Sequence, residues 1–383
     1  MEIVCHPAQA AALAAGAAEW AHGGLRFLGF CAGVGLILLF FKSIIRVGIL
    51  NQRYQDSIAF WVGRLIWRAF QLRIARLPGG HRKGHEILTW YWPTALIGLV
   101  SSWFVLVTIG FAFLNWSLGA NAGFVDALIS SGSSLSTLGF STPTNRAGES
   151  LAIIEGAFGL FLVVYLFTFL PGFMDMIHER GSRVAWVYSR TGPHPSGAGL
   201  LEWFYRNGRS EELDAVFDSW DGFFQDHGHA KSFLPIIAVV RPLHPGNSWI
   251  CAFGAFLDAA ALMISTVERN PSSAKLCCLS GVESVRNIHL AMRGTPVVPR
   301  ETPGLLHVKR SEYDAACVRL AAAGAVLAPD RERAWLRFID LHRNYEQEIS
   351  WLAAALSDPT PFWPQADLPD THPTGNGHSA HLI

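Results

Sequence analysis

Three stretches of this chain lose the polar face that a water-exposed helix keeps, and become apolar all round. Tyr91 to Leu114 carries no charged side chain. At 1.5 Å per residue it is long enough to cross ~30 Å of hydrocarbon. Trp90, Trp92 and Trp116 border it, as amphipathic rings do at a membrane boundary. Leu151 to Leu170 is a second such stretch, interrupted only by Glu155. Phe27 to Phe41 is shorter, but Arg26 and Lys42 can snorkel and extend it to Ile45. The pattern predicts three transmembrane helices.

Between the first two spans, Ile58, Phe60, Trp61, Leu65, Ile66, Trp67, Phe70 and Leu72 are interspersed with Arg64, Arg68 and Arg73. That spacing suits an amphipathic helix lying at the membrane surface with its arginines near lipid phosphates, which makes membrane lipid an expected partner. The alternative is a solvated helix packed on a cytosolic domain. From Ser182 onward the periodicity is helical. A Gly192–Gly197 loop comes first, then a helix over Glu211 to Phe224 with an apolar stripe at Leu213, Val216, Phe217, Trp220, Phe223 and Phe224. Trp249 to Ser265 is apolar enough to suggest a fourth span. Asp258 at its middle favours a buried core helix instead. Ser311 to Val326 and Arg331 to Leu356 read as two closing helices, and the segment from Asp358, rich in Pro, Thr, His and Gly, as a disordered tail.

Composition sharpens this picture. Charged residues are 16% of the 383 positions, while hydrophobic residues are 50%; roughly a quarter charged is usual for soluble proteins. Lys plus Arg and Asp plus Glu are 30 each, so no nucleic-acid partner is expected. The charge is unevenly spread. The loop after the first span carries Arg46, Arg53, Arg64, Arg68, Arg73, Arg76, Arg82 and Lys83, whereas Asn115 to Ser150 carries only Arg146. The positive-inside bias then places the N-terminus outside and the C-terminus in the cytoplasm of a multi-pass cell-membrane protein. His178, Arg180, Arg183 and Arg190, after the last span, agree.

The expected fold is an all-α membrane protein. Residues 1–26 form an extracellular segment, 27–45 the first transmembrane helix and 46–90 a basic amphipathic linker. Residues 91–175 form a two-helix membrane domain with a short non-spanning segment between its helices, 176–357 a helical cytosolic domain and 358–383 the tail. No basic region and cleavage site mark a signal peptide at Met1. The six cysteines show neither metal nor secreted-disulfide spacing. Asp226-His227-Gly228-His229 offers too few spaced ligands for a metal site and reads as a polar turn. The absence of a P-loop, a dinucleotide fingerprint and a nucleophile elbow leaves no catalytic constellation, so no enzyme is expected.

The segment with chemical promise runs from Phe124 to Pro143. It begins as a short amphipathic helix, turns Ser-rich and ends in Thr137-Leu138-Gly139-Phe140. It is too short and too polar to span a bilayer, and irregular backbone at membrane depth is tolerated only where it is buried in protein or lines a water cavity. A half-helix pointing its C-terminal end inward offers partial negative charge to a cation. A following turn can aim carbonyls at the ion in place of its water shell, with Gly139 supplying backbone freedom. Glu155, an acid inside a span, is a functional candidate by default. Gly156 and Gly159 suit close helix packing, and Pro171-Gly172 a kink or break at the cytosolic end of the last span.

Thr137-Leu138-Gly139-Phe140 resembles the Thr-x-Gly-Tyr/Phe core of the potassium-channel selectivity filter. The order helix, pore loop, helix from Tyr91 to Gly172 is similar to the two-helix pore domain of bacterial potassium channel-like proteins. Ser141 stands where that family has its second filter glycine, followed by Thr142 and Pro143. The single glycine also resembles the Trk and Ktr potassium transporters, which carry four hairpins in one chain where this chain has one. The resemblance implies an oligomeric cation channel, a homotetramer, with a filter at Thr137, Leu138, Gly139, Phe140 and Ser141. A monovalent cation, potassium foremost, is the implied permeant ion, with weak discrimination against sodium. It further implies a gating hinge at Gly159, a gate near Pro171 and Gly172, and a role for Glu155 behind the filter or at the outer mouth. The alternative is a non-conducting anchor or scaffold that retains a degenerate hairpin. The cytosolic domain shows no recognisable ligand site.

Overall fold

The computed structural model describes residues 7–48, 56–75, 90–229, 239–240, 247–293, 308–356, 358 and 363. Cys5, Arg53, Arg76, Arg82, Lys83 and almost all of the expected tail lie outside the described residues. Among those described, helices alone make up the regular structure, apart from one isolated bridge between Val267 and Leu327. Three helices are long and apolar enough to cross a membrane, over His22–Val47, Tyr91–Ser117 and Arg146–Thr191. This is the make-up of a multi-pass, all-helical membrane protein.

The chain divides into two compact units, Met1–Phe173 and Met174–Ile383. In the first, α1 (Pro7–Gly48) runs well N-terminal of the expected span, because the Ala-rich stretch before Trp20 has high helix propensity. It lies along α3 (Tyr91–Ser117). Two glycines set their distance: a Cβ on Gly33 would stand 2.7 Å from the Gly110 carbonyl oxygen. Phe40, Ile44, Leu99, Trp103, Val107 and Phe111 fill the seam. Burying one such side chain contributes roughly 1.5–3 kcal/mol in a water-reference scale.

Helix α2 (Ser57–Ala75) is the amphipathic linker helix. Asp56 starts it by accepting from the Ala59 N–H at 2.9 Å. The same carboxylate accepts from the Ser43 hydroxyl of α1 at 2.7 Å, and Ser43 in turn accepts from the Trp103 indole of α3 at 2.9 Å. One polar chain thus ties three helices. Along the start of α3, Tyr91 packs on Trp67 with ring centroids 5.1 Å apart. Trp61, Leu65 and Leu72 face outward.

A short α4 (Phe124–Leu135) leads to α5 (Arg146–Thr191). Helix α5 continues without a break through Pro171, where a break or kink is the sequence expectation. Proline there removes one backbone donor, a loss that membrane helices tolerate when neighbouring groups re-satisfy the freed carbonyl.

The second unit holds the C-terminal part of α5 and α6 (Gly197–Arg206), α7 (Leu213–His229), α8 (Trp249–Ser265), α9 (Ser272–Arg293), α10 (Arg310–Ala322), α11 (Arg331–His342) and α12 (Glu346–Leu356). All 17 residues of α8 are buried, so this apolar segment is the core helix of the unit. Phe256 of α8 stacks on Trp220 of α7 with centroids 4.0 Å apart. The expected single helix over Arg331 to Leu356 is split at Arg343–Tyr345. The split turns Tyr345 inward, where its hydroxyl donates to buried Asp258 at 2.7 Å. Asp226 and the residues up to His229 extend α7 instead of forming a turn.

Candidate functional site

Helix α4 is only 12 residues long, and its pattern explains its seat. Ala127, Ser130, Ser131, Ser133 and Leu135 are buried, while Val125, Leu128 and Ile129 are exposed. At its start, Phe124 packs on Phe113 of α3, with centroids 4.8 Å apart. Asp126 lies in the first turn, where the helix dipole favours an acid.

At its end, α4 is held by α5. A Cβ on Gly159 would fall 1.9 Å from the Leu135 carbonyl oxygen, and one on Gly156 would lie 3.5 Å from that of Ser134. Only a residue without a side chain fits at Gly159. The structure therefore gives Gly159 a packing duty within the chain, seating the C-terminal end of α4. Pro171 and Gly172, by contrast, are exposed, and nothing lies within 4 Å of a Cβ added at Gly172.

Glu155 sits fully buried one turn before Gly159. Its carboxyl is hydrogen-bonded to the Ser131 hydroxyl of α4, and the same hydroxyl lies 2.8 Å from the Thr108 carbonyl of α3. Among the described residues Glu155 makes no ion pair. Being fully buried, it does not present its carboxyl group to solvent.

The loop after α4 then folds back on its own helix. The Thr137 N–H donates to the Ser134 carbonyl at 3.0 Å, and those of Leu138 and Gly139 to the Ser133 carbonyl at 3.0 and 3.3 Å. The Ser141 N–H donates to the Ser133 hydroxyl at 3.0 Å. Four amide groups are thus drawn toward Ser133 and Ser134. No described residue donates to the carbonyls of Thr137 through Ser141.

Backbone hand alternates along the same stretch. Thr137 has φ +58° and Gly139 has φ +69°, whereas Leu138 and Phe140 keep negative φ. Glycine adopts the left-handed region freely, but a β-branched threonine does so only against steric cost. Strain of this kind persists where surrounding bonds over-determine it. Here those bonds are the amide contacts to Ser133 and Ser134. Thr137, Leu138, Gly139 and Phe140 are all exposed in the single chain, and Ser141 is half-buried.

The far end of the loop is fixed as well. The amide and hydroxyl of Thr144 each reach the Ala120 carbonyl at 2.8 Å. Asn145 caps α5 through the Gly148 N–H at 2.8 Å, and its amide donates to the Leu118 carbonyl at 3.1 Å.

The five filter residues expected from the sequence are therefore together in one pinned loop, and Glu155 lies beneath the helix that carries it. Sequence reasoning missed Ser131, Ser133 and Thr108, because a Ser-rich run shows polarity without saying which hydroxyl points where. No group of three His, Cys, Asp or Glu side chains among the described residues is placed to hold a metal ion. Comparison of the chain with family models, with curated proteins and with solved structures gives no match.

Proposed function

We propose that this chain is one subunit of an oligomeric cation channel resembling potassium channels, with α4 as the pore half-helix and Thr137 to Ser141 as the filter loop. The observation that carries the reading is the pinned loop: the amides of Thr137, Leu138, Gly139 and Ser141 are bonded to Ser133 and Ser134, and no described residue donates to its successive carbonyls. Alternating backbone hand, with positive φ at Thr137 and Gly139, supports a reading in which successive carbonyls gather on one side. Carbonyl oxygens collected in this way can replace the hydration shell of a monovalent cation such as potassium. The C-terminal end of α4, directed at the loop, adds a partial negative charge.

One loop supplies one wall of such a cage. Cyclic symmetry is the usual way in which identical subunits close around an axis, and four copies match the resembled pores. The subunit is thus a quarter of a homotetramer, oriented with the N-terminus outside and the second unit in the cytoplasm, as the arginine bias of the first loop supports. Helix α2, with Trp61, Leu65 and Leu72 exposed beside Arg64 and Arg68, lies against lipid headgroups in this arrangement.

Reconstitution into potassium-loaded vesicles tests the reading. Wild-type protein should release potassium, and Gly139→Ala, which puts a side chain on a φ of +69°, should abolish most of the flux while the protein stays folded. Absence of flux from folded, tetrameric wild-type protein would instead favour a non-conducting scaffold.

A further inference from the structure

Helix α9 shows two opposite faces. Cys277, Cys278, Gly281, Ser284, Val285, Ile288 and Met292 are buried against the rest of the second unit. The outward face carries Leu276, Leu279 and Leu290, which are 57%, 69% and 54% exposed. Three leucines on one exposed stripe of a 22-residue helix are unusual for a water-facing surface.

The spacing of the outward face is regular. Leu276, Leu279, Glu283, Arg286, Leu290 and Arg293 are all exposed, and their steps alternate between three and four residues. That is the heptad seam by which one helix packs along another. The order of residues along it selects a geometry. If a second α9 lies antiparallel across a two-fold axis between residues 284 and 285, Leu279 faces Leu290 of the other copy. Glu283 then faces Arg286 of the other copy, and Leu276 faces Arg293, whose aliphatic stem can cover it. Every contact is made twice, as a two-fold interface requires. A parallel, in-register pairing would instead place Glu283 on Glu283 and Arg286 on Arg286, which repel.

Neither charge is firmly engaged within the chain. Arg286 stands 3.8 Å from Glu348, at the edge of an ion pair, and remains 54% exposed. Glu283 makes no ion pair among the described residues.

We propose that the outward face of α9 is a docking surface for a second copy of this chain, in an antiparallel, two-fold pair of α9 helices centred on reciprocal Glu283–Arg286 contacts. The contact is one helix wide and joins copies of the chain two by two. It rests on α9 alone and stands whether or not the loop after α4 conducts ions.

Cysteine cross-linking of the full chain in mild detergent tests it, in a Cys31→Ser background because Cys31 is the exposed native thiol among the described cysteines. Leu279→Cys combined with Leu290→Cys should give disulfide-linked dimers on mild oxidation, and each single variant should give several-fold less. Glu283→Arg added to the double-cysteine protein should lower the cross-linking, and Arg286→Glu added to that should restore it. Efficient cross-linking of Leu279→Cys to itself would overturn the antiparallel pairing. A double-cysteine protein that stays uncross-linked, or a reversed charge pair that gives no recovery, would overturn the docking surface. Since the readout is a gel, failure here is distinct from failure of the flux assay.

Discussion

Ser131 and Glu155 are joined by a hydrogen bond in the buried interior of the first unit, and the Ser131 hydroxyl also reaches the Thr108 carbonyl of α3. A single small side chain of α4 therefore links α4 to both long helices beside it. The hydroxyl has one hydrogen and two oxygen neighbours, so an amide at position 155 can satisfy the chain by donating to Ser131. Glu155→Gln should keep near-wild-type stability in detergent. Glu155→Ala leaves Ser131 with one partner and should cost ~1–3 kcal/mol, as for other buried hydrogen bonds. Thermal unfolding followed by tryptophan fluorescence gives the comparison. Equal losses in both variants would show that the Ser131 bond alone does not account for the role of Glu155.

Gly159 and Gly172 make a contrasting pair on one helix. Alanine at Gly159 drives a methyl group to 1.9 Å from the Leu135 carbonyl oxygen, so α4 must shift. Overpacking of that kind costs typically ~1–3 kcal/mol. Flux and melting temperature should fall together. Alanine at Gly172 meets nothing within 4 Å and removes a glycine from a helix interior, a gain of up to ~1 kcal/mol. A Gly172→Ala variant that melts normally yet loses its flux would reveal a hinge at that position.

Selectivity should be modest. The Ser141 amide is tied to the Ser133 hydroxyl at 3.0 Å, and Ser141 is not among the residues with positive φ. The alternation of hand thus ends at Gly139. If the loop forms a filter, a shorter alternation leaves fewer well-formed ion sites, and bilayer recordings should show cations favoured over anions and potassium poorly separated from sodium. Strong potassium selectivity in those recordings would overturn this expectation.

The second unit should lose stability as pH rises. Burial raises the Asp258 carboxyl from 3.8 to about 7, partly offset by the hydrogen bond from Tyr345. The folded state then binds this proton more tightly than the unfolded chain does. Its contribution to stability is present below pH ~4 and is lost as pH climbs to ~7. Asp258→Asn, which still accepts from Tyr345, should flatten the difference in melting temperature between pH 5 and pH 7.5. An unchanged slope in that variant would assign the pH dependence to another group.

What the sequence made legible followed from hydrophobicity and charge. Tyr91–Ser117 and Trp249–Ser265 are visible as apolar runs, and Asp258 correctly marked the second as a core helix. The N-terminal half of α1 was hidden because Ala and Gly carry little hydropathy signal. The division between α11 and α12 was hidden too, since Arg343-Asn344-Tyr345 contains neither Gly nor Pro. In the candidate site, Gly139 was legible as a backbone requirement. The left-handed Thr137 was not, because nothing local favours that conformation: it depends on amide bonds to Ser133 and Ser134.

The Ser43–Asp56 bond, finally, bears on chain continuity. It clasps the end of α1 to the start of α2 across 13 residues of sequence, and Trp103 secures the clasp from α3. The ends of the two helices are thus held together by side chains as well as by the chain, and lengthening the connection adds only ~0.6 kcal/mol of closure entropy per doubling. A peptide tag or a protease site inserted after Asn51 should be borne without loss of assembly. Two separately translated fragments divided there should find one another and behave as the intact polypeptide.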